Sequence, residues 1–431
     1  MSFLDWTHSL PVDWKIKPLR AVVNYAVSNV DKIPVDGEVD VRLCNYSDVY
    51  NNEFITLALD FMRATATESE ISKFGLLVGD VVITKDSESW DDIGVSALVE
   101  ETAADLVCGY HLAVLRPQDR LLDGAFLFRC LQAKPLRVQL ELAANGVTRF
   151  GIPKAAIGAM TLPVPPLSQQ RAIADYLDRE TERLDALVVA KERVLGLLAE
   201  KRRAVITRAV TRGVDPHASL RDSGIPWLGE IPAHWEVKRL KHLGRSIIGL
   251  TFDPVDTVTD GSGILVLRAS NVRNQQIVLD DNLFVLMDIP ETLRTRTGDI
   301  LICSRSGSRA LIGKNALIDE ASSGLTFGAF MTIFRSPHYA YLFYIFNSPL
   351  FDYQAGAFAT STINQLTVET LNGMEVPLPP ASEQEAIVAS LRERTSRLDR
   401  LVEATDRTIA LLKERRAALI AAAVTGHAEV A

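Results

Sequence analysis

Several residue types and motifs are scarce in this chain, and each scarcity excludes a class of protein. The four cysteines show no paired spacing, and none forms a metal-ligand pattern with any of the seven scattered histidines. Reduced, structural thiols in a cytoplasmic protein are therefore expected, rather than a secreted disulfide scaffold or a metal site. No apolar run approaches the ~20 residues of a membrane span, and the first residues lack a basic-then-apolar secretion signal.

Positive charge is also in short supply. The net charge of −8 argues against a protein that coats itself with nucleic acid unaided, although it allows a local basic face and a partner that adds positive charge. With 47% hydrophobic and 23% charged residues, the composition is that of a globular protein. A length of 431 residues suits two domains with connecting elements.

Signatures of cofactor and phosphate binding are missing. No Gly-x-Gly-x-x-Gly follows a predicted strand, so a dinucleotide site is not expected. The nearest approach to a phosphate loop, at Gly313-Lys314, has Ser308 in place of the upstream glycine and Asn315 in place of the required Ser or Thr. We therefore predict no cofactor.

A nuclease-like Asp…Glu-x-Lys pattern is present at Asp222, Glu236 and Lys238, and metal-assisted hydrolysis requires such clustered carboxylates. However, Glu236 aligns with Lys15 in the internal repeat described below, and the leading proline-acid pair is absent. We interpret this pattern as an exposed strand, predict no metal site, and do not expect the chain to be an enzyme.

The strongest feature of the sequence is a long internal repeat. A stretch that begins PVPPLSQQRAIADYLDRETERLDAL at Pro163 recurs without a gap from Pro377, and roughly half of its positions are identical. The prolines predict extended chain, with Ser168 and Ser382 as helix N-caps. Each copy then continues without proline for about 43 residues, which predicts a helix about 65 Å long.

Apolar residues recur along both predicted helices at coiled-coil spacing, while charged residues fill the other faces. Such a stripe requires a partner helix, and the other copy is the simplest partner. The chain path then predicts an antiparallel pair with one globular domain near each end and pseudo-two-fold symmetry. The predicted packing residues are Leu177, Leu184, Leu187, Leu195, Leu198, Val205, Leu391, Leu398, Val402, Ile409, Leu412 and Leu419.

The remaining segments are predicted to form two similar mixed α/β domains. A strand at Val41–Cys44 and a Gly79-Asp80 turn before a β-branched strand mark the first domain, and Gly298-Asp299 marks the second. Loops between these landmarks differ widely, which indicates two readers of different targets. The predicted boundaries are 1–162 for the first domain, 163–213 for the first helix, 214–376 for the linker and second domain, and 377–431 for the second helix.

Candidate nucleic-acid contacts are distributed unevenly between the domains. The segment Ser304–Arg309 is small, polar and basic, which is typical of a loop that approaches phosphates or base edges closely. In contrast, residues 28–101 are strongly acidic, so charge alone does not identify the first domain as a DNA reader.

Taken together, these motifs resemble the specificity subunit of type I restriction–modification enzymes. They are the doubled proline strip with Ser-x-Gln and a leucine-spaced helix, the linker DSGIPWLGEIPAHWEVKRLK, the Gly-Asp turns, and the Thr148 and Thr362 loops. The resemblance implies two target-recognition domains, each reading half of a split, asymmetric DNA site, with the helices as spacer. It also implies a non-catalytic subunit that binds two adenine methyltransferase subunits and then motor-nuclease subunits.

On this basis we predict a set of DNA-contacting residues, chosen because arginine and asparagine can pair bidentately with guanine and adenine edges. The predicted helix length limits the separation of the half-sites to about 19 base pairs. The alternative function is a coiled-coil scaffold that organises protein partners without reading bases. The predicted contacts are Arg42, Asn45, Lys85, Thr148, Arg149, Lys154, Arg268, Asn271, Arg273, Ser304, Arg305, Arg309, Thr362 and Asn364.

Overall fold

The computed structural model describes residues 5–8, 10–357 and 365–428. The chain forms two compact units. Unit 1 contains Met1–Glu192 and Asp406–Ala431, and unit 2 contains Arg193–Thr405. Each unit thus combines a globular domain with parts of both long helices, and the domain boundaries drawn above remain predictions. Within the described residues, no helix is both long enough and apolar enough to cross a membrane.

Unit 1 is a mixed α/β domain. Its strands are β1 Lys15–Pro18, β2 Val23–Val27, β3 Val39–Cys44, β4 Phe54–Ile55, β5 Met62–Ala66, β6 Val81–Thr84, β7 Asp86–Ser87, β8 Ser96–Val99, β9 Leu106–Cys108, β10 Leu112–Pro117, β11 Asn145–Gly146, β12 Phe150–Gly151 and β13 Thr161–Val164. Its helices are α1 Tyr46–Tyr50, α2 Glu68–Phe74, α3 Gly124–Gln132, α4 Lys134–Ala143 and α5 Lys154–Ala159, with 3-10 turns at Asp5–His8 and Leu19–Ala21. Helix α6, Leu167–Arg212, begins in this unit.

The central sheet of unit 1 has the strand order β2-β10-β6-β8-β4, and a second sheet has the order β5-β3-β9. Strand β6 is buried along its whole length, as its β-branched sequence VVIT suggests. Gly79 (φ 88°) forms the predicted turn before this strand, and buried Asp80 accepts two hydrogen bonds from Arg116, at 2.8 and 2.7 Å. These contacts hold the turn from which β6 starts against strand β10, which carries Arg116.

Unit 2 repeats this architecture. Its strands are β14 Leu220–Asp222, β15 Glu230–Pro232, β16 Glu236–Arg239, β17 Arg245–Ile248, β18 Thr257–Val258, β19 Ile264–Leu267, β20 Val272–Arg273, β21 Gln276–Ile277, β22 Phe284–Val285, β23 Ile300–Cys303, β24 Asn315–Leu317, β25 Thr326–Phe327, β26 Met331–Arg335 and β27 Glu375–Leu378. Its helices are α7 Tyr339–Phe346, α8 Pro349–Ala357 and α9 Val368–Gly373. Short 3-10 turns lie at Leu240–His242, Pro254–Asp256, Ala269–Asn271, Glu291–Leu293 and Arg309–Leu311. Helix α10, Ala381–Val424, begins here and ends in unit 1.

Equivalent strands pair in the same way in both units. The ladder β1–β13 corresponds to β16–β27, and the order β2-β10-β6-β8 corresponds to β17-β26-β23-β24. Asp299, after the turn at Gly298, binds Arg335 at 2.7 and 2.6 Å, as Asp80 binds Arg116. The repeat predicted from the sequence therefore extends to backbone topology and to individual ion pairs.

Both long helices begin directly after the proline strip. Helices α6 and α10 start at Leu167 and Ala381, so Ser168 and Ser382 lie inside the first turn and are not the N-caps expected from the sequence. The amide side chain of Gln170 donates to the Pro165 carbonyl oxygen at 2.8 Å, and that of Gln384 donates to Pro379 at 2.8 Å. Each buried glutamine therefore ties the helix start to the proline strip that precedes it.

The buried and half-buried positions of each long helix follow alternating steps of three and four residues, the heptad pattern of a coiled coil. We call this row of buried and half-buried positions the seam. The prediction of Leu187 as a packing residue is wrong, because Leu187 is 44% exposed and Val188 occupies the seam position instead. The seam also includes polar residues that a search for leucines does not select. The seam positions are Leu177, Thr181, Leu184, Val188, Lys191, Leu195, Leu198, Arg202, Val205 and Ala209 in α6, and Leu391, Thr395, Leu398, Val402, Thr405, Ile409, Leu412, Arg416, Leu419 and Ala423 in α10.

Within unit 1 the two helix segments run antiparallel, because Arg416 pairs with Asp185 while the earlier residue Lys413 pairs with the later residue Glu192. The core of unit 1 includes Leu177 from α6 and Ile420 from α10, whereas the core of unit 2 includes Val210 and Leu391. Each core therefore contains the start of one long helix and the end of the other. The predicted fold class, two similar mixed α/β domains with a pair of long helices, is confirmed.

Candidate nucleic-acid interface

In unit 1 the loop between α4 and α5 is a tight hairpin formed by β11 and β12. A Cβ on Gly146, whose φ is 149°, would lie 1.9 Å from the Arg149 carbonyl oxygen, so only glycine fits this turn. Strand β12 pairs with β7, and the hairpin tip projects Val147, Thr148 and Arg149 into solvent. Two of the predicted contact residues, Thr148 and Arg149, therefore lie side by side on an exposed tip.

A chain of charged side chains supports Arg149 from below. Arg149 donates to His111 Nε2 at 3.1 Å, so Nδ1 of His111 carries the proton that faces Asp86 at 2.5 Å. Lys85 donates to the other oxygen of Asp86 at 2.7 Å. Burial raises the pKa of Asp86, but the hydrogen bonds from Lys85 and His111 outweigh it and hold the pKa below 3.8. Asp86 is therefore ionised. The ammonium group of Lys85, a predicted DNA contact, is paired with Asp86 in this structure.

Beside the hairpin lies a recess of about 500 Å³ lined by aromatic and acidic side chains. The rings of Tyr46 and Tyr50 stack with centroids 5.4 Å apart, and the Tyr50 hydroxyl donates to Asp92 at 2.7 Å. Carboxylates accept hydrogen bonds from base amino groups, and arginine donates to guanine. The recess lining is Tyr46, Tyr50, Asp86, Ser87, Glu88, Asp92, Thr148 and Arg149.

Three other predicted contacts of the first domain lie outside this recess. Both Nε and Nη2 of Arg42 are occupied by Asp105, at 2.9 and 2.7 Å, within the β3–β9 pairing. Asn45 precedes α1 and donates to the Leu43 carbonyl oxygen at 3.3 Å, so its amide supports the local turn. Lys154 is exposed at the start of α5, with its ammonium 5.9 Å from the Tyr25 ring centroid.

In unit 2 the equivalent region is a groove of about 790 Å³, mainly apolar and bordered by arginines. The Arg305 guanidinium lies 5.6 Å from the Phe330 ring centroid and donates to Gln365 at 2.9 Å. Phe330 is 59% exposed. Arg268, on the same groove, binds the backbone and the carboxylate of Asp281 at 3.0 and 3.1 Å. The groove therefore combines an exposed aromatic face with two oriented guanidinium groups.

Several predicted residues of the second domain support loops instead. Asn271 is fully buried; it accepts from the Arg268 backbone N–H at 2.9 Å and donates to Val278 at 3.0 Å, which corrects the expectation of a base contact. Ser304 is also buried and donates to the Phe330 carbonyl oxygen at 3.0 Å. Arg273 forms an exposed pair with Asp280.

The last predicted contacts divide between an exposed turn and an undescribed segment. Arg309 lies exposed beside a smaller recess of about 210 Å³ that includes Phe351 and Gln365. Thr362 and Asn364 lie outside the described residues.

Comparison with known proteins decides the family. The sequence profile described as type I restriction modification DNA specificity domain matches the chain twice, at residues 11–191 and 232–414. The chain belongs to this family. It is a type I specificity subunit, a recognition component and not itself an enzyme, as predicted.

Individual relatives match almost the whole specificity subunit. The EcoKI specificity subunit of Escherichia coli is 24% identical over 440 residues, covering 97% of this chain and 90% of the relative. The MjaVIII specificity subunit of Methanocaldococcus jannaschii is 24% identical over 408 residues, covering 91% and 88%. A chain from a type I restriction–modification assembly has a TM-score of 0.73 at 19% identity, covering 97% and 100%. The HsdS subunit of Thermoanaerobacter tengcongensis has a TM-score of 0.54 at 18% identity, covering 97% and 98%.

Sequence reasoning missed several side chains that line the recesses of the specificity subunit, among them Tyr46, Tyr50, Glu88, Asp92 and Phe330. The acidic charge of residues 28–101 hides the recess of the first domain from a search for basic residues, although carboxylates can accept from amino groups of bases. A signal was nevertheless present in the first domain, since Tyr46 and Tyr50 are spaced to share one helix face directly after a predicted strand.

Proposed function

We propose that each domain of this specificity subunit reads one half of a split, asymmetric site in double-stranded DNA, and that the paired helices set the gap between the halves. In this proposal the chain works in the cytoplasm, binds two methyltransferase subunits, and then recruits motor-nuclease subunits. The partners supply the chemistry, and the specificity subunit directs it to the target sequence.

One observation carries this proposal: the same scaffold occurs twice with chemically different recesses. Each recess lies beside the segment that follows an equivalent buried strand, β6 in unit 1 and β23 in unit 2. A duplicated scaffold preserves the way in which a domain is presented to the duplex. Divergent recesses then give each domain its own base preference.

The chemistry of the two recesses predicts different kinds of readout. In unit 1, Asp92 and Glu88 can accept from the amino groups of cytosine or adenine, while Arg149 can donate to guanine or phosphate. In unit 2, Arg305 and Arg268 can donate to guanine, and the exposed ring of Phe330 can contact a thymine methyl group. Thr148 is proposed to contact the DNA backbone. Thr362 and Asn364 remain predicted DNA contacts of the second domain.

The proposal can be tested by assembling the chain with its methyltransferase subunits and mapping methylated adenines on random-sequence DNA. The wild-type complex is expected to methylate one split site. Arg149→Ala should relax the preference in one half only, and Arg305→Ala should relax it in the other half, each by about tenfold or more per affected base pair. Arg120→Ala, which removes an exposed arginine of the same unit outside the recess, is the matched control.

The competing function, a scaffold that organises protein partners without reading bases, predicts a different result. In that case the assembled complex would show no preference over random duplex, and neither arginine substitution would change the pattern. If Arg149→Ala alone relaxed the base preference in both half-sites, the proposal that each domain reads one half-site would also be contradicted.

A further inference from the structure

In unit 1 a single arginine of the seam joins both long helices to the globular domain. Arg416 of α10 donates from Nε to Asp185 of α6 at 3.0 Å and from Nη2 to both oxygens of Glu53, at 2.7 and 2.8 Å. Its side chain is only 19% exposed. Glu53 lies directly before strand β4 of the central sheet, so Arg416 connects that sheet to the helix pair.

Unit 2 contains the same device at the equivalent position. Arg202 of α6 forms an ion pair with Asp399 of α10 and donates from Nη2 to the side chain of Gln275 at 3.3 Å. Its side chain is 24% exposed. Gln275 lies in the turn between β20 and β21, so this arginine likewise connects a helix pair to the globular domain of its own unit.

The repeat keeps this pair of residues although about half of its other positions have diverged. Arg202 aligns with Arg416, and Asp185 aligns with Asp399. In each unit the arginine comes from the long helix that ends there. An apolar residue would fill a coiled-coil seam at less desolvation cost than a charged one, so the retained arginine indicates a requirement other than helix pairing.

One feature of unit 2 supports this view. Among the described atoms, Nε of Arg202 is buried without a hydrogen-bond partner. Gln275 lies in a two-residue hairpin turn: Asn274 and Gln275 have φ values of 50° and 66°, and a type I′ turn requires positive φ at both central residues. This hairpin places the Gln275 side chain within reach of Arg202.

We propose that Arg202 and Arg416 are positioning residues that fix the angle of each recognition domain on the helix pair, and that they thereby set how strictly the subunit selects the gap between half-sites. This inference rests on the proposed function. Adding one base pair to the gap moves a half-site by about 3.4 Å and rotates it by about 35°. A domain that can pivot on its helices follows that rotation, whereas a clamped domain does not.

The test compares methylation of two DNA substrates, one with the native gap and one with a single base pair added, by the complete complex with its methyltransferase subunits. Gln275→Gly removes the domain-side partner, leaves the Arg202–Asp399 pair intact, and places glycine where φ is positive. Arg202→Glu combined with Asp399→Arg restores a pair between the helices but leaves a side chain too short to reach Gln275. Arg203→Gln, which removes an exposed ion pair at the neighbouring position, is the matched control.

For both Gln275→Gly and the charge-swapped double variant, the preference for the native gap is expected to fall about tenfold, the factor for losing one hydrogen bond to a charged group. The melting temperature should stay near that of the wild type, and Arg203→Gln should keep the full preference. If both variants kept the wild-type preference for the native gap, the proposed positioning role of the arginines would be wrong, even if overall methylation fell. If the wild-type complex itself had no preferred gap, the proposed function would fail instead.

Discussion

At the scale of single residues, the side chains with the chemistry to read bases divide into those that hold loops together and those that face solvent. Arg149 and Arg305 reach an exposed recess, whereas Arg42 is paired with Asp105 and Asn271 is enclosed in its own loop. Residue type alone does not separate these roles, because the same amide or guanidinium fork that fits a base also fits a buried carbonyl or carboxylate.

Asn271→Ala is therefore expected to affect folding rather than base preference. The substitution leaves the Arg268 N–H and the Val278 carbonyl oxygen unpaired in a partly buried loop, which costs about 1–3 kcal/mol. Denaturant unfolding of the isolated chain should show this loss, while Arg273→Ala, in an exposed pair, should change stability by less than about 0.5 kcal/mol. A stable Asn271→Ala protein with altered half-site preference would contradict the structural role.

Because its pKa is lowered in the folded state, Asp86 is expected to make a contribution to stability that depends on pH. Its pKa in the folded state lies below the ordinary 3.8, so its ionised form stabilises the fold above that pH, and the contribution is lost as pH falls through the lower folded pKa. Asp86→Asn should lower the free energy of unfolding at pH 7 by about 2 kcal/mol. The difference between the two proteins should narrow below pH 3.8, as measured by thermal unfolding across pH. A constant difference down to pH 3 would contradict this assignment.

The sequence predicts much of the residue-scale framework but little of the candidate site. The turn at Gly79 before β6 follows from a local backbone rule, and it is present. The recess of unit 1 depends on which loops meet, since Tyr50 and Asp92 come from separate segments. Such long-range proximity is set by tertiary packing, which spacing along the chain does not encode.

At the scale of elements, the two long helices are the part most readily predicted from the sequence, because their repeat and their stripe are both periodic. Among the predicted packing residues, the correction of Leu187 to Val188 arises because choosing leucines by type ignores the regular alternation of three- and four-residue steps. Polar seam residues such as Thr181 and Arg202 are invisible to that choice, although they occupy the same face. Heptad phase is therefore a better guide than residue type.

Deleting one heptad at equivalent places in both helices, residues 188–194 and 402–408, should preserve the phase of the seam. The helices shorten by about 10.5 Å, and the gap between half-sites should shrink by about three base pairs while both half-sites stay the same. Mapping methylated adenines gives the gap directly. Deleting two residues from each helix, which turns the following seam by about 200°, should instead abolish methylation. Loss of one half-site in the heptad deletion would contradict a spacer role.

At the scale of the whole molecule, the two units have equivalent sheets and equivalent Arg–Asp pairs but different recesses. In the proposed function, the shared scaffold presents each domain to the DNA, and the recess determines which bases that domain prefers. Exchange of residues 1–162 for the first domain of another family member tests this separation. Such an exchange must keep two contacts of unit 1: Arg129 with Asp178, at 2.7 Å, and Glu53 with Arg416. Both tie the first domain to the helices of its own unit.

The exchanged protein is expected to methylate a site in which one half matches the donor, while the other half and the gap match the recipient. If the donor lacks a carboxylate at the position of Glu53, the half-sites should still be exchanged, but the preference for one gap should weaken until that carboxylate is introduced. The matched control is the same exchange with Glu53 retained from the recipient. A change in both halves would show that the domains do not read independently, because a modular reader transfers its target together with its loops.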